Sequence, residues 1–386
     1  MTHREIPFNR LFYGEKEQRY LQELLESGTM GVQSRFGRRC AELLNTQLGA
    51  AEVIITQSCT TALEMAALLV DIEPGDEVIL PSFTFSSTAN AFALRGARLA
   101  FVDIDPATLN IDPEQVAAAI NSRTRVIAPI HYAGVSCDMD AIMALAGEHD
   151  LAVVEDAAQA IGCEYQGRPV GTRGDLATLS FHSTKNVVSG EGGALIVNNP
   201  ELVDRAWIVA EKGTNRKLFY QGLVDKYSWA DLGVSALPSE LTCAFLLAQL
   251  ESLDEINRRR LQLWNRYQEA LEPLAQAGHF RLPVIPPECR HNGHIFYLMM
   301  NGSAERNALI AHLKAREITA PFHYIPLHSA PAGRRYGYEA GTLEHTDRCS
   351  ARLLRLPSWV GLEQSAEHVI EAIFDFFDSS NSSLPG

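Results

Sequence analysis

Basic residues are scarce in this chain of 386 residues: Lys and Arg number 33 against 47 Asp and Glu, a formal net charge of -14. With no long basic run, nucleic-acid binding is disfavoured, because neutralising a phosphate backbone takes clustered Lys and Arg. A local cationic site for one small anion stays open. No apolar stretch approaches the ~20 residues of a membrane span. The start, Met1 to Phe8, lacks the apolar core of a signal peptide. The seven cysteines (40, 59, 137, 163, 243, 289 and 349) are scattered, odd in number and never in a CxxC pair. That is the pattern of reduced thiols in a cytoplasmic protein, not of a disulfide frame. Internal repeats are absent.

What is present is an ordinary globular composition, 46% hydrophobic and 21% charged, in a chain too long for one compact core. From about residue 50 to 200, apolar β-branched runs alternate with helical patterns. Strands are expected at Val53–Thr56, Glu77–Leu80, Leu99–Val102, Arg125–Ala128, Leu151–Val154, Ala177–Phe181 and Ala194–Val197. Several lack in/out alternation, as when both faces of a strand are covered. The alternation predicts an α/β domain around a mainly parallel sheet. Helices are expected at Ser239–Leu250 and from Glu255 towards Leu274, then a strand at His294–Met300 and helices at Ala304–Arg316 and Ala366–Phe377. These place a large domain over residues 1–250, a smaller α+β domain over 251–378 and a frayed tail at 379–386.

Three strand ends carry chemistry. In Ile55-Thr56-Gln57-Ser58-Cys59-Thr60-Thr61-Ala62-Leu63-Glu64 a strand gives way to a helix, with Thr61 and Glu64 spaced as a capping box. Its free amides and hydroxyls suit a phosphate monoester, or serve only as a well-made cap. In Val153-Val154-Glu155-Asp156-Ala157-Ala158-Gln159 an apolar strand delivers Asp156 to the edge of the sheet, where it meets a cation or caps the next helix. In Ser180-Phe181-His182-Ser183-Thr184-Lys185, followed by Gly190-Glu191-Gly192-Gly193, a lysine projects into a cleft or stays on the surface. An anion cradle, a carboxylate and one amine together are the requirements of pyridoxal 5′-phosphate (PLP). Phe85 offers an aromatic cover for its ring.

These segments resemble the DegT/DnrJ/EryC1/StrS sugar nucleotide aminotransferases, a family with the fold-type I, aspartate aminotransferase-like architecture. The resemblance runs from Ile6 to about residue 377. It is strongest to the transaminases that make dTDP-4-amino-4,6-dideoxygalactose, on Cys59-Thr60 with Leu63–Leu69, Lys212-Gly213-Thr214-Asn215-Arg216 and Phe322-His323-Tyr324-Ile325-Pro326-Leu327-His328. It implies that Lys185 carries PLP covalently and moves the proton, that Asp156 pairs with the pyridinium nitrogen, and that Gln159 binds the ring hydroxyl. Thr60, Thr61 and Ser180 would hold the phosphate, with Phe85 on the ring. The family's site lies between two subunits of a homodimer. The Asn that a partner often contributes falls at Ser235 here, so that contact is altered.

The implied reaction moves the amino group of L-glutamate to the C4 ketone of dTDP-4-keto-6-deoxyglucose in polysaccharide synthesis. His323, Tyr324 and His328 are candidates for the sugar pocket. Arg216 and Lys217, or Arg334 and Arg335, are candidates for the nucleotide's diphosphate. The rivals are a 3-keto sugar nucleotide aminotransferase and a PLP-fold regulatory protein without turnover. His291 and His294, and His131 with Cys137, are incomplete as metal sites.

Overall fold

A computed structural model of the chain describes residues 5–28, 30–31, 35–220, 222 and 224–381. All seven expected strands of the first half form, within a residue or two, and join one sheet. They are β1 (Glu52–Thr56), β2 (Glu77–Pro81), β3 (Arg98–Val102), β4 (Thr124–Ile127), β5 (Ala152–Asp156), β8 (Leu176–Ser180) and β9 (Gly193–Val197). Between β5 and β8 lies a short hairpin, β6 (Glu164–Tyr165) and β7 (Arg168–Pro169), which pairs instead with β11 (Cys289–Arg290). The large sheet has the order β1-β9-β8-β5-β4-β2-β3. Only β9 runs antiparallel to its neighbours, β1 and β8.

The strands lack alternation because helices cover both faces. Val53 and Ile55 of β1 enter one core, Ile54 the other. Each face thus has its own apolar cluster, the arrangement that parallel strands require. The antiparallel β9 starts at the edge where β1 and β8 end: Gly193 pairs with both Thr56 and Ser180. A Cβ on Gly193 would sit inside the backbone of Ser58 and Cys59, so only glycine lets β9 begin against the helix that follows β1.

Beyond residue 250 the helix Leu253–Gln276 leads to a small antiparallel sheet of β10 (Phe280–Arg281), β12 (Tyr297–Met300) and β13 (Leu353–Arg355). Helices Ser303–Ala315 and Ala366–Asn381 accompany it. Leu263, Tyr267, Phe296, Leu313 and Ile373 belong to a third core cluster. Two expectations shift here. The strand expected from His294 begins only at Tyr297, because the backbone carbonyls of His294 and Ile295 are taken by side chains instead of a neighbouring strand (Arg260 donates to the first at 2.8 Å, Trp264 to the second at 3.1 Å). The last helix runs to Asn381, into the expected tail, and 382–386 lie outside the described residues. No helix among the described residues is long and apolar enough to cross a membrane.

Candidate active site

Five loops at the carboxyl edge of the large sheet, with Phe8 and Asn9 and segments of the second half of the chain, line a cavity of about 680 Å³. Ligands of parallel sheets collect at this edge because strand ends and helix starts converge there.

The loop after β1 turns at once into the helix Cys59–Leu69. Its N-cap is Ser58, whose hydroxyl accepts from the amide of Thr61 at 3.1 Å. The capping pair expected at Thr61 and Glu64 is therefore displaced by one turn. Thr61 spends its hydroxyl on Ser58, 3.0 Å away, and is not among the cavity-lining residues. Ser58, Cys59 and Thr60 do line it, and the Thr60 hydroxyl lies 2.8 Å from that of Ser87, at the start of the next helix (Ser86–Ala93). The first-turn amides of a helix have no intrahelical acceptor, so this corner is rich in donors. Burial, then the nearby Asp156, pushes the Cys59 thiol up to about 12, so it stays protonated.

Asp156 ends β5 and is buried. Thr88 donates to its Oδ2 at 2.6 Å and the amide of Ala158 to its Oδ1 at 3.1 Å. No helix follows it, so its carboxylate lies on the cavity wall rather than serving as an N-cap. Gln159, also buried, accepts from the amide of Ala133 at 2.7 Å and donates to the Tyr324 hydroxyl at 3.1 Å. Those bonds fix which end of the amide is oxygen.

Lys185 lines the same cavity, on the loop between β8 and β9, with Ser180 at the end of β8. Burial lowers its pKa from the usual lysine value, against the opposing pull of Asp156, and Arg355 lowers it further. The neutral, nucleophilic amine is thus reached at lower pH than for a free lysine. His182 braces this loop: its Nδ1 lies 2.9 Å from the Thr184 hydroxyl and accepts from the Thr184 amide at 3.3 Å.

Phe85 lines the mouth and is 59% exposed. His323 and Tyr324 form part of the opposite wall, with Tyr132 holding His323 Nδ1 at 3.0 Å. Burial, with Arg355 next, pushes the His323 imidazole well below its usual value, so it is neutral at pH 7.

The remaining expected residues lie elsewhere. His328 is fully buried between Ser82 (2.7 Å) and Asp347 (3.3 Å), tying the two halves of the chain together rather than facing a ligand. Arg216 pairs with Glu211 at 3.7 Å, and Lys217 lies over the Trp207 ring beside Glu52. Arg334 donates to the Ser329 carbonyl at 2.9 Å. Ser235 bridges to Glu211, and its carbonyl accepts from Gln57 at 2.9 Å. Neither Arg216 nor Ser235 lines the cavity of its own chain. Sequence reasoning missed Ser58, Ser87, Thr88, Arg260, His294 and Arg355, all of which do. Ser58 carried a signal, its place among the hydroxyls between a strand and a helix, and so did Thr88, its place two residues into a helix that follows a strand.

The DegT/DnrJ/EryC1/StrS aminotransferase family matches the chain over residues 12–374. The chain belongs to that family. The spore coat polysaccharide biosynthesis protein SpsC of Bacillus subtilis is 34% identical over 380 residues, 96% of each chain. Among solved structures, the aminotransferase TlmJ of Streptoalloteichus hindustanus superposes with a TM-score of 0.89 at 31% identity, covering 97% of this chain and 100% of its own. DesV of S. venezuelae, solved in complex with a ketimine intermediate, gives 0.88 at 31% identity over 96% and 98%. The protein is thus a fold-type I, PLP-dependent transaminase. Its cavity fits that cofactor: a donor-rich helix start, a buried carboxylate and an amine of lowered pKa share one enclosure.

Proposed function

We propose that the enzyme is a cytoplasmic homodimer that moves the amino group of L-glutamate to the C4 ketone of dTDP-4-keto-6-deoxyglucose, giving dTDP-4-amino-4,6-dideoxygalactose. The observation that carries the chemistry is the presence of Lys185 and Asp156 on the wall of one cavity. The choice of sugar rests on the sequence resemblance around Cys59, Lys212–Arg216 and Phe322–His328. The division of labour follows a two-lobed chain, with residues 1–250 presenting the cofactor loops and 251–378 closing over them.

When bound, PLP supplies an aldehyde that takes up an amino group and a protonated ring that accepts an electron pair. In this reading Lys185 Nζ anchors the cofactor and, once freed by the donor, carries the proton away from the glutamate Cα. In the second half of the cycle the same nitrogen returns a proton to C4 of the sugar. Asp156, oriented by Thr88 and the Ala158 amide, keeps the ring nitrogen protonated. Gln159, clamped between Ala133 and Tyr324, aligns the ring through its hydroxyl. Ser58, Thr60 and Ser180 hold the phosphate, and Phe85 covers the ring. His323 and Tyr324 face the sugar. Arg216 and Ser235 act, in this reading, on the site of the partner subunit.

The test is to incubate the enzyme with PLP, L-glutamate and dTDP-4-keto-6-deoxyglucose. Mass spectrometry should find one nitrogen gained by the sugar nucleotide, and NMR should place it axially on C4. Nitrogen at C3, or no amination of this sugar, would reject the assigned substrate.

A further inference from the structure

Asn186, the residue after Lys185, is buried and ties three segments together. Its side-chain nitrogen donates to the Asn257 side-chain oxygen at 2.8 Å and to the Asn292 carbonyl at 3.0 Å. A carbonyl only accepts, so the nitrogen of this amide is fixed, and the atom 2.9 Å from His294 Nδ1 is its oxygen. His294 Nδ1 therefore carries the hydrogen. The neighbouring amides agree: Asn257 donates to the Ile161 carbonyl at 3.1 Å, and Asn292 to the carbonyls of Gln159 and Ile161 at 3.0 and 3.1 Å.

Burial, with Lys185 next, pushes His294 well below the usual histidine value, so one ring nitrogen is bare at pH 7. With Nδ1 protonated, that nitrogen is Nε2. The residue is only 8% exposed and lines the cavity, and its Nε2 has no partner among the described residues. A desolvated acceptor without a donor is costly, so it calls for one from a ligand. His323, on the same wall, has the opposite polarity. Among the described residues the Tyr132 hydroxyl has no acceptor but His323 Nδ1, at 3.0 Å, so it donates there and leaves the ring hydrogen on Nε2.

The charges around His294 decide which donor fits. Asn186 joins it to the residue beside Lys185, Arg260 donates to its carbonyl at 2.8 Å, and Arg355 lines the same cavity. Three cationic side chains repel an ammonium but tolerate a neutral hydroxyl. Of the two substrates only the keto sugar brings hydroxyls. Lys185 works at the reacting carbon, and the hydroxyl that flanks a C4 ketone is the one on C3.

We propose that His294 Nε2 accepts a hydrogen bond from the C3 hydroxyl of the keto sugar, making His294 a specificity residue for a sugar hydroxylated beside its ketone. The inference rests on the 4-keto sugar reading and deepens it.

The test loads wild type, His294→Gln and His294→Phe with PLP and converts the bound cofactor with glutamate. Single-turnover reoxidation is then followed with dTDP-4-keto-6-deoxyglucose and with its 3-deoxy and 2-deoxy analogues. The wild-type comparison needs no variant to fold. There the 3-deoxy sugar should react tenfold or more less efficiently, the loss for a buried acceptor left unpaired, and the 2-deoxy sugar within about twofold of the full sugar. His294→Phe should lose the same factor with the full sugar and no longer distinguish it from the 3-deoxy analogue. His294→Gln, which keeps an acceptor, should fall between, and glutamate conversion should stay within about twofold in all three proteins. Nitrogen-15 NMR of histidine-labelled wild type should find the hydrogen of His294 on Nδ1.

Equal reaction of the full and 3-deoxy sugars in wild type would overturn the proposal, as would a 3-deoxy penalty that persists in His294→Phe. Slowing of glutamate conversion by the same factor would make His294 a support for Lys185 and overturn it too. A wild type that glutamate converts but no 4-keto sugar reoxidises would overturn the substrate reading first, and this one with it.

Discussion

The two walls of the cavity differ in kind. One comes from loops after β1, β2, β4, β5 and β8, whose side chains are placed by the strand ends a few residues away. The other comes from Arg260, His294, His323, Tyr324 and Arg355, which lie on a long helix, an irregular segment, a loop and a short strand. The first wall holds hydroxyls, the carboxylates of Asp156 and Glu191 and the amine of Lys185. The second is aromatic and cationic, with imidazoles held neutral by burial and by the nearby Lys185, Arg260 and Arg355. The contrast teaches that one cavity can draw a wall whose side chains are set by nearby strand ends and a wall assembled only by long-range folding.

Substitutions can break that contrast. The largest effect belongs to the first wall. Lys185→Ala should lower transamination by about 10^4-fold, the scale of losing a positioned acid/base, with PLP still bound noncovalently. Glutamate added to this variant should produce no pyridoxamine form over the time in which wild type converts fully; rapid conversion would remove Lys185 from the mechanism. Asp156→Asn comes next. It keeps a hydrogen-bonding side chain against Thr88 but loses the charge opposite the ring. A fall in kcat of about 10^2–10^3-fold is expected, typical of losing one electrostatic stabiliser. An unchanged kcat would show that the ring nitrogen is protonated without it.

The smallest effect sharpens the comparison within a single turn of helix. Thr60→Val should weaken PLP by about tenfold, in keeping with one hydrogen bond to a charged group. Thr61→Val, whose hydroxyl is engaged with Ser58, should change PLP affinity by less than about twofold. Equilibrium dialysis of the two variants separates the cavity-lining threonine from the capping one, and equal losses would erase that distinction.

How much of this was legible beforehand follows the same division. Asp156, Lys185 and Gln159 could be read because each falls at a fixed offset from an apolar run, and a strand end has only one place to go in a parallel sheet. The helix beginning near Thr61 was also legible, but its register was not. Ser58, Thr60 and Thr61 are all competent caps, and Ser58 takes the role in the structure, its hydroxyl 3.1 Å from the Thr61 amide. His328 shows the opposite failure. A histidine near an aromatic run suggests a pocket, yet Ser82, 246 residues away, claims its Nδ1 and buries it. Arg355 gave no sign at all, because an arginine after two leucines on a short strand reads as a surface residue.

Sequence alone determined the local pieces: seven buried strands, the helices between them, and a carboxylate and an amine at strand ends. These follow from apolar periodicity and from the few conformations open to a residue leaving a strand. Tertiary structure decided which pieces meet. It turned β9 against its neighbours so that Gly193 lies on the helix start, and it swung Arg260 and Arg355 from the far end of the chain onto the wall facing Lys185. The physical reason is range: backbone preference acts over a few residues, whereas the charge of a buried guanidinium is felt by whatever folding brings beside it.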